Sequence, residues 1–195
     1  MYKKQALICP PRTGSVYYCN KLSKKYNTKN LGELARPILL KAVCEKLEKQ
    51  DNWLMKVVPG NLHPGIMHNS DAKNINKNLV DTIVSLIDIS DKHYFLYREN
   101  FVEQVESYAL GKMSNQWLDN RDATDMYIDE ATVTNCINDL LYQYDIIKQV
   151  YTARPGELVS LEQFGTKGER YPRKRITGDA MKSVQQIDIL NTYFV

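Results

Sequence analysis

Several features that would name a chemistry outright are missing from this chain. Only 9 of its 195 residues are glycine. None of them stands in the Gly-x-x-x-x-Gly-Lys-Ser/Thr spacing of a Walker A loop, whose lysine reaches the β- and γ-phosphates and whose hydroxyl binds magnesium. The four cysteines, Cys9, Cys19, Cys44 and Cys136, show neither a Cys-x-x-Cys pair nor a metal-ligand spacing, and their apolar neighbours mark them as buried thiols. Cys9 also lacks the following arginine of a cysteine-phosphatase loop, because Ser15 stands at that place. The three histidines, His63, His68 and His93, are scattered, so no metal site is expected. The start has no apolar signal-type run and no stretch approaches a membrane span; a cytoplasmic protein is expected. There is no internal repeat and no low-complexity linker, so residues 1–195 are expected to form a single domain. A formal net charge of +3 is too small to argue for a nucleic-acid partner.

What is present is an ordinary globular composition, 43% hydrophobic and 25% charged, in a chain long enough for a sizeable core. Short apolar runs alternate with helical periodicities. The runs Gln5–Cys9, Trp53–Val58, His93–Tyr97 and Leu158–Leu161 read as strands. Helices are expected over Ser15–Tyr26, about Ala35–Lys49, from Asp71 through Leu86, over Asn100–Lys112 and over Glu130–Thr152, with a short last one near Asp179. In the Glu130–Thr152 helix, Val133, Ile137, Leu140, Tyr144, Ile147 and Tyr151 repeat as a plain core face. Alternation of strand and helix predicts an α/β protein with a parallel sheet flanked by helices. In such sheets ligands bind beyond the carboxyl ends of the strands. Arg12, Glu33, Lys56 and Arg98 all follow or end extended segments, and so could share one rim.

Residues 7–17, Leu-Ile-Cys-Pro-Pro-Arg-Thr-Gly-Ser-Val-Tyr, are the most informative stretch. They read as strand, tight loop and helix start, with Ser15 near the N-cap. Open backbone N–H groups and the helix dipole make a helix start an anion site. Gly14 lets the backbone approach a ligand. Arg12 adds charge, Thr13 and Ser15 add hydroxyl donors, and Val16 follows on the first turn. A second constellation surrounds Arg98 at a strand end. On the helix after it, Phe101, Val105 and Tyr108 form an apolar stripe, and Asn100, Gln104, Ser107 and Gly111 a polar one. An arginine fork and a serine hydroxyl there suit a second phosphate.

The loop Pro-Arg-Thr-Gly-Ser resembles the 5′-phosphosulfate loop of sulfotransferases that use 3′-phosphoadenosine 5′-phosphosulfate (PAPS). The segment Arg98-Glu-x-x-x-x-Gln-x-x-Ser107 is similar to their 3′-phosphate site, most of all in the bacterial and phage-encoded branch with carbohydrate-like acceptors. The resemblance implies a P-loop-like sulfotransferase fold. It implies that Arg12, Thr13, Gly14, Ser15 and Val16 hold the 5′-phosphosulfate, that Arg98 and Ser107 hold the 3′-phosphate, and that 3′,5′-ADP (PAP) is the product, with no metal required. Three further segments are similar to the family: Trp53–Val58 with Lys56 near its end, Leu158–Phe164 with Leu161 in place of a tyrosine, and Arg173–Asp179. The last implies nucleotide contacts from Arg173 and Lys174, although Arg175 replaces a glycine.

Sulfuryl transfer needs an acceptor oxygen in line with sulfur and the leaving phosphate oxygen, and a stabilised charge on that oxygen. Arg12 and the loop are placed for the charge, with Lys56 as helper at the sulfuryl group. Val58 stands where cytosolic small-molecule sulfotransferases carry their histidine base. Tyrosylprotein and trehalose-type branches instead resemble this chain at Glu33, which is therefore the expected base. Glu33 also reads as a carboxylate at a helix N-terminus, and His63 is the reserve base. Segments 61–70 and 113–128 are expected to face a glycan or small-molecule acceptor, with Trp117 suited to stack on a sugar ring. Two other readings stay open: a P-loop-type kinase, and a nucleotide- or glycan-binding module without turnover.

Overall fold

A computed structural model of the chain describes residues 2–34, 40–62, 72–114, 128–164, 181–182 and 187–195. Five strands form one all-parallel sheet: β1 (Lys4–Ile8), β2 (Asn30–Leu34), β3 (Trp53–Val57), β4 (Lys92–Tyr97) and β5 (Glu157–Ser160), in the order β2-β3-β1-β4-β5. Helices α1 (Ser15–Tyr26), α2 (Leu40–Glu48), α3 (Ala72–Asp88), α4 (Phe101–Ser114), α5 (Glu130–Ala153), α6 (Leu161–Phe164) and α7 (Ile189–Tyr193) connect and flank them. The parallel α/β class follows the sequence expectation. Among the described residues no helix is long and apolar enough to cross a membrane.

The strands are apolar on both sides because both faces are covered. Leu7, Cys9, Leu54, Tyr94 and Leu96 pack with Tyr18, Cys19 and Leu22 of α1. The alternate residues Ala6, Ile8, Trp53, Met55, Phe95 and Tyr97 join the larger core with α3, α4, α5 and α7. The Trp53 indole N–H, although buried, donates to the Leu47 carbonyl at 3.1 Å. Helix α5 starts at Asp129, whose carboxylate accepts from the Thr132 N–H at 2.8 Å.

Three differences from the sequence expectation stand out. Segment 31–33, read only as a short extended piece, belongs to a full strand, β2. Its pattern hides because Asn30 and Gly32 interrupt it, and a register shift falls between Asn30 and Glu33. The last strand ends at Ser160 rather than Leu161, where the chain turns directly into α6. A 3-10 turn over Pro59–Leu62 occupies what reads as the start of a loop. The start of the second helix near Ala35 and of the last near Asp179 lie outside the described residues.

The strand order positions the site. From β1 the chain crosses towards β2 and β3, and from β4 it continues outward to β5. The connections leaving the neighbours β1 and β4 therefore diverge, which opens a crevice at their carboxyl ends. The 9–14 loop and residues 98–100 border that crevice.

Candidate functional site

The 9–14 loop has an unusual backbone. Arg12 and Gly14 are both left-handed, at φ 65° and φ 70°. For Gly14 this costs nothing, whereas a non-glycine residue there costs about 1–2 kcal/mol. Left-handed turns of this kind curve successive N–H groups around a concavity that suits an anion. Gly14 is also the N-cap of α1, with no side-chain cap and no acidic residue in the first turn. Ser15, read as the N-cap, is instead the first helical residue and is buried. Val16 is more than half exposed on the first turn.

Thr13 has a different task from the one expected. Its hydroxyl is fully buried and donates to the Pro10 carbonyl at 3.0 Å. That bond closes the loop on itself, so the Thr13 side chain shapes the cradle instead of lining it. Cys9, beneath the loop, has its thiol pushed up to about 11 by burial. Burial pushes the neighbouring Cys19 up to about 12. Both stay protonated near neutrality and neither has the thiolate character of a nucleophile.

The two motifs of the sequence meet here. Arg12 Nε donates to Ser107 Oγ at 2.7 Å, joining the β1 loop to α4 across 95 positions of sequence. One turn earlier on α4, Gln104 donates from Nε2 to the Pro11 carbonyl at 2.8 Å. The Tyr144 hydroxyl donates to Gln104 Oε1 at 2.8 Å and accepts from the Arg98 N–H at 3.4 Å. Gln104 and Tyr144 are both fully buried, and burial raises the Tyr144 phenol so that it remains a donor. Tyr144 is thus more than the core-face residue that periodicity suggests. Helical spacing reports which face is buried and is blind to one hydroxyl on it.

Arg98 is placed differently from the expectation. It is buried, and its guanidinium pairs with Glu103, while Glu162 Oε1 lies 3.8 Å from Nε. Glu162 also accepts from the backbone N–H groups of Glu99 and Asn100, at 3.0 and 3.3 Å. Ser107 bonds to Arg12, and Arg98 pairs with carboxylates. Neither glutamate was part of the expected site; Glu103 sits one turn of α4 from Asn100 and Glu162 comes from a distant helix.

Glu33 and Lys56 form an ion pair between neighbouring strands. Glu33 lies in β2. Lys56 stands next to β1, opposite Leu7. Burial works against its charge, but the Cys9 sulfur and the Glu33 carboxylate outweigh it, and the lysine pKa rises. Lys56 is therefore cationic at neutral pH. His93 bonds through Nε2 to the Pro155 carbonyl at 2.9 Å and packs on Phe95. His63, Trp117, Arg173 and Lys174 lie outside the described residues.

No protein-family profile matches the chain, and no curated protein matches it significantly. Geometry alone therefore ranks the candidate residues. At the carboxyl edge of the sheet, Arg12 and Lys56 supply cationic groups, Glu33 a carboxylate, and the α1 start its backbone donors. Leu161, at the start of α6, closes against Gly14, and the next residue, Glu162, holds the start of α4. Together these can bind an anionic group and place a carboxylate on the same rim.

Proposed function

We propose that the protein is a sulfotransferase with a P-loop-like fold that moves a sulfuryl group from PAPS to an acceptor hydroxyl of a glycan or small metabolite. The observation that carries the reading is the 2.7 Å bond from Arg12 to Ser107. It joins the two segments that resemble the 5′-phosphosulfate and 3′-phosphate motifs, in a crevice where an open α/β sheet takes its ligands.

In this reading the acceptor oxygen attacks sulfur in line with the leaving 5′-phosphate oxygen. The new S–O bond forms as the S–O bond to phosphate breaks, and the electron pair leaves on the phosphate of PAP. Arg12 and the first N–H groups of α1 stabilise that charge. Lys56 neutralises the sulfuryl oxygens, and Glu33 takes the proton of the acceptor hydroxyl. The carboxylates around Arg98 favour a second reading, a ligand with phosphate at the loop only, as in a P-loop-type kinase or a binding module.

Calorimetric titration with 3′,5′-ADP and with magnesium ADP separates the two. The first reading expects at least tenfold tighter binding of 3′,5′-ADP, and a preference for magnesium ADP overturns it. Sulfuryl transfer from labelled PAPS to a panel of glycan and phenolic acceptors then tests turnover. Glu33→Gln is expected to keep the 3′,5′-ADP affinity and to lose roughly 10²–10⁴-fold in rate, the usual worth of a general base. A variant that transfers at the wild-type rate removes Glu33 as base.

A further inference from the structure

Arg12 takes its left-handed conformation at the third position of a turn over residues 10–13, where Pro11 suits the second position and glycine is the usual third residue. Its side chain has a Cβ, and the next residue but one is the glycine. Turns with proline second also form with a right-handed third residue, so a contact from outside the loop can select between the two orientations of the Pro11–Arg12 peptide. The turn of the Pro11–Arg12 peptide and the φ of Arg12 are linked, because that φ is the rotation about the bond following this peptide. The peptide is trans, as no cis bond occurs in the described chain, so its C=O and N–H point in opposite directions. The Pro11 carbonyl points into the protein, where Gln104 Nε2 donates to it. The Arg12 N–H accordingly points away from Gln104.

Gln104 is itself fixed. Its amide oxygen accepts from Tyr144, and the Tyr144 hydroxyl is held in turn by the Arg98 N–H. Gln104, Tyr144 and Arg98 are buried and only the Pro11 end is half-buried, so losing the inner members leaves buried polar groups unpaired. This chain of bonds also decides which way the Gln104 amide faces, since the oxygen is committed to Tyr144 and the nitrogen to Pro11.

We propose that Gln104 and Tyr144 are positioning residues: through the Pro11 carbonyl they hold the Pro11–Arg12 peptide in the orientation that curves the loop N–H groups around a phosphate or sulfate group. The inference rests on the anion-binding reading of the loop but not on PAPS as the ligand. Tyr144 acts through Gln104, and Gln104 acts through the backbone of Arg12; neither touches the anion.

The first test needs no ligand. Glycine adopts a positive φ freely, so an Arg12→Gly background removes the strain that the network holds. Gln104→Leu is expected to lower the thermal midpoint of the wild-type chain distinctly more than that of the Arg12→Gly chain. Equal drops in the two backgrounds overturn the proposal. The second test reads binding, with pyrophosphate and 3′,5′-ADP as probes and far-ultraviolet dichroism to establish folding. Tyr144→Phe and Gln104→Glu are expected to raise Kd for both probes about tenfold at neutral pH. A carboxylate at position 104 cannot donate to Pro11, whereas its protonated form can. The affinity of Gln104→Glu relative to wild type is therefore expected to recover as pH falls from 8 towards 5. A Kd within twofold of wild type in both variants, or a ratio flat with pH, overturns the proposal even if Gln104→Leu does not fold. Wild-type binding of pyrophosphate without 3′,5′-ADP overturns the PAPS reading, and the variants still decide the positioning role.

Discussion

Replacing Gly14 by alanine perturbs two separable things. The residue sits at φ 70°, ψ 18°, and holding an alanine there costs about 1–2 kcal/mol. The added Cβ also lands against Leu161 Cδ1, with the next atoms, Cγ and Cδ2, at 3.6 and 3.7 Å. The clash is thus confined to one terminal methyl of a partly exposed leucine, and shifting it costs about 1 kcal/mol, at the low end of overpacking. The sum is about 2–3 kcal/mol, or roughly 4–12 °C in thermal midpoint for a chain of this size. Scanning calorimetry measures it. Leu161→Ala in the same chain removes the clashing methyl and leaves the backbone strain. The double variant is therefore expected to be more stable than the sum of the two single losses predicts, by about 1 kcal/mol. Strict additivity would show that Gly14 and Leu161 are not in contact. A midpoint for Gly14→Ala within 1 °C of wild type would refute the left-handed loop itself.

Further outcomes follow from the same geometry. Burial raises Cys9 from 9.0 to about 11, so the folded chain holds this proton more tightly than the unfolded one. Its contribution to stability is complete below about pH 9 and is lost as pH rises through about 11; urea midpoints that do not fall across this range contradict the burial of the thiol. Arg98→Ala is expected to weaken 3′,5′-ADP while affecting adenosine 5′-phosphosulfate much less, and equal losses in calorimetry remove the 3′-phosphate assignment. The buried Asp139 accepts from Tyr108 and, at 2.7 Å, from Lys112, and Gln143 bonds to it at 3.3 Å. Asp139→Ala removes the carboxylate that Tyr108, Lys112 and Gln143 share and is expected to cost about 2–3 kcal/mol in urea unfolding; Tyr108→Phe is expected to cost about 1 kcal/mol, and a loss as large as that of Asp139→Ala would show that Lys112 and Gln143 add nothing.

Much of this molecule is legible along the chain because its causes are local. The run from Ala6 to Ile8, short and closed by Pro10 and Pro11, reads as a strand of a sheet covered on both faces. Helix α1 runs from Ser15 to Tyr26 as expected, between a glycine and an asparagine that each take a left-handed turn at little cost. A loop with one glycine, one arginine and a helix behind it reads as an anion cradle for reasons contained in a dozen residues. The rest was settled by packing. Nothing near Arg12 says that its partner is Ser107; the order β2-β3-β1-β4-β5 sets β1 beside β4 and so brings α4 to the loop. Nothing near Arg98 announces Glu162, which arrives from beyond β5. Tyr144 hides its polar role within a flawless apolar period. Periodicity and turn chemistry are short-range, and they determine elements. Strand order and side-chain partners depend on contacts between distant segments, and here those contacts decided which of the candidate residues lie together.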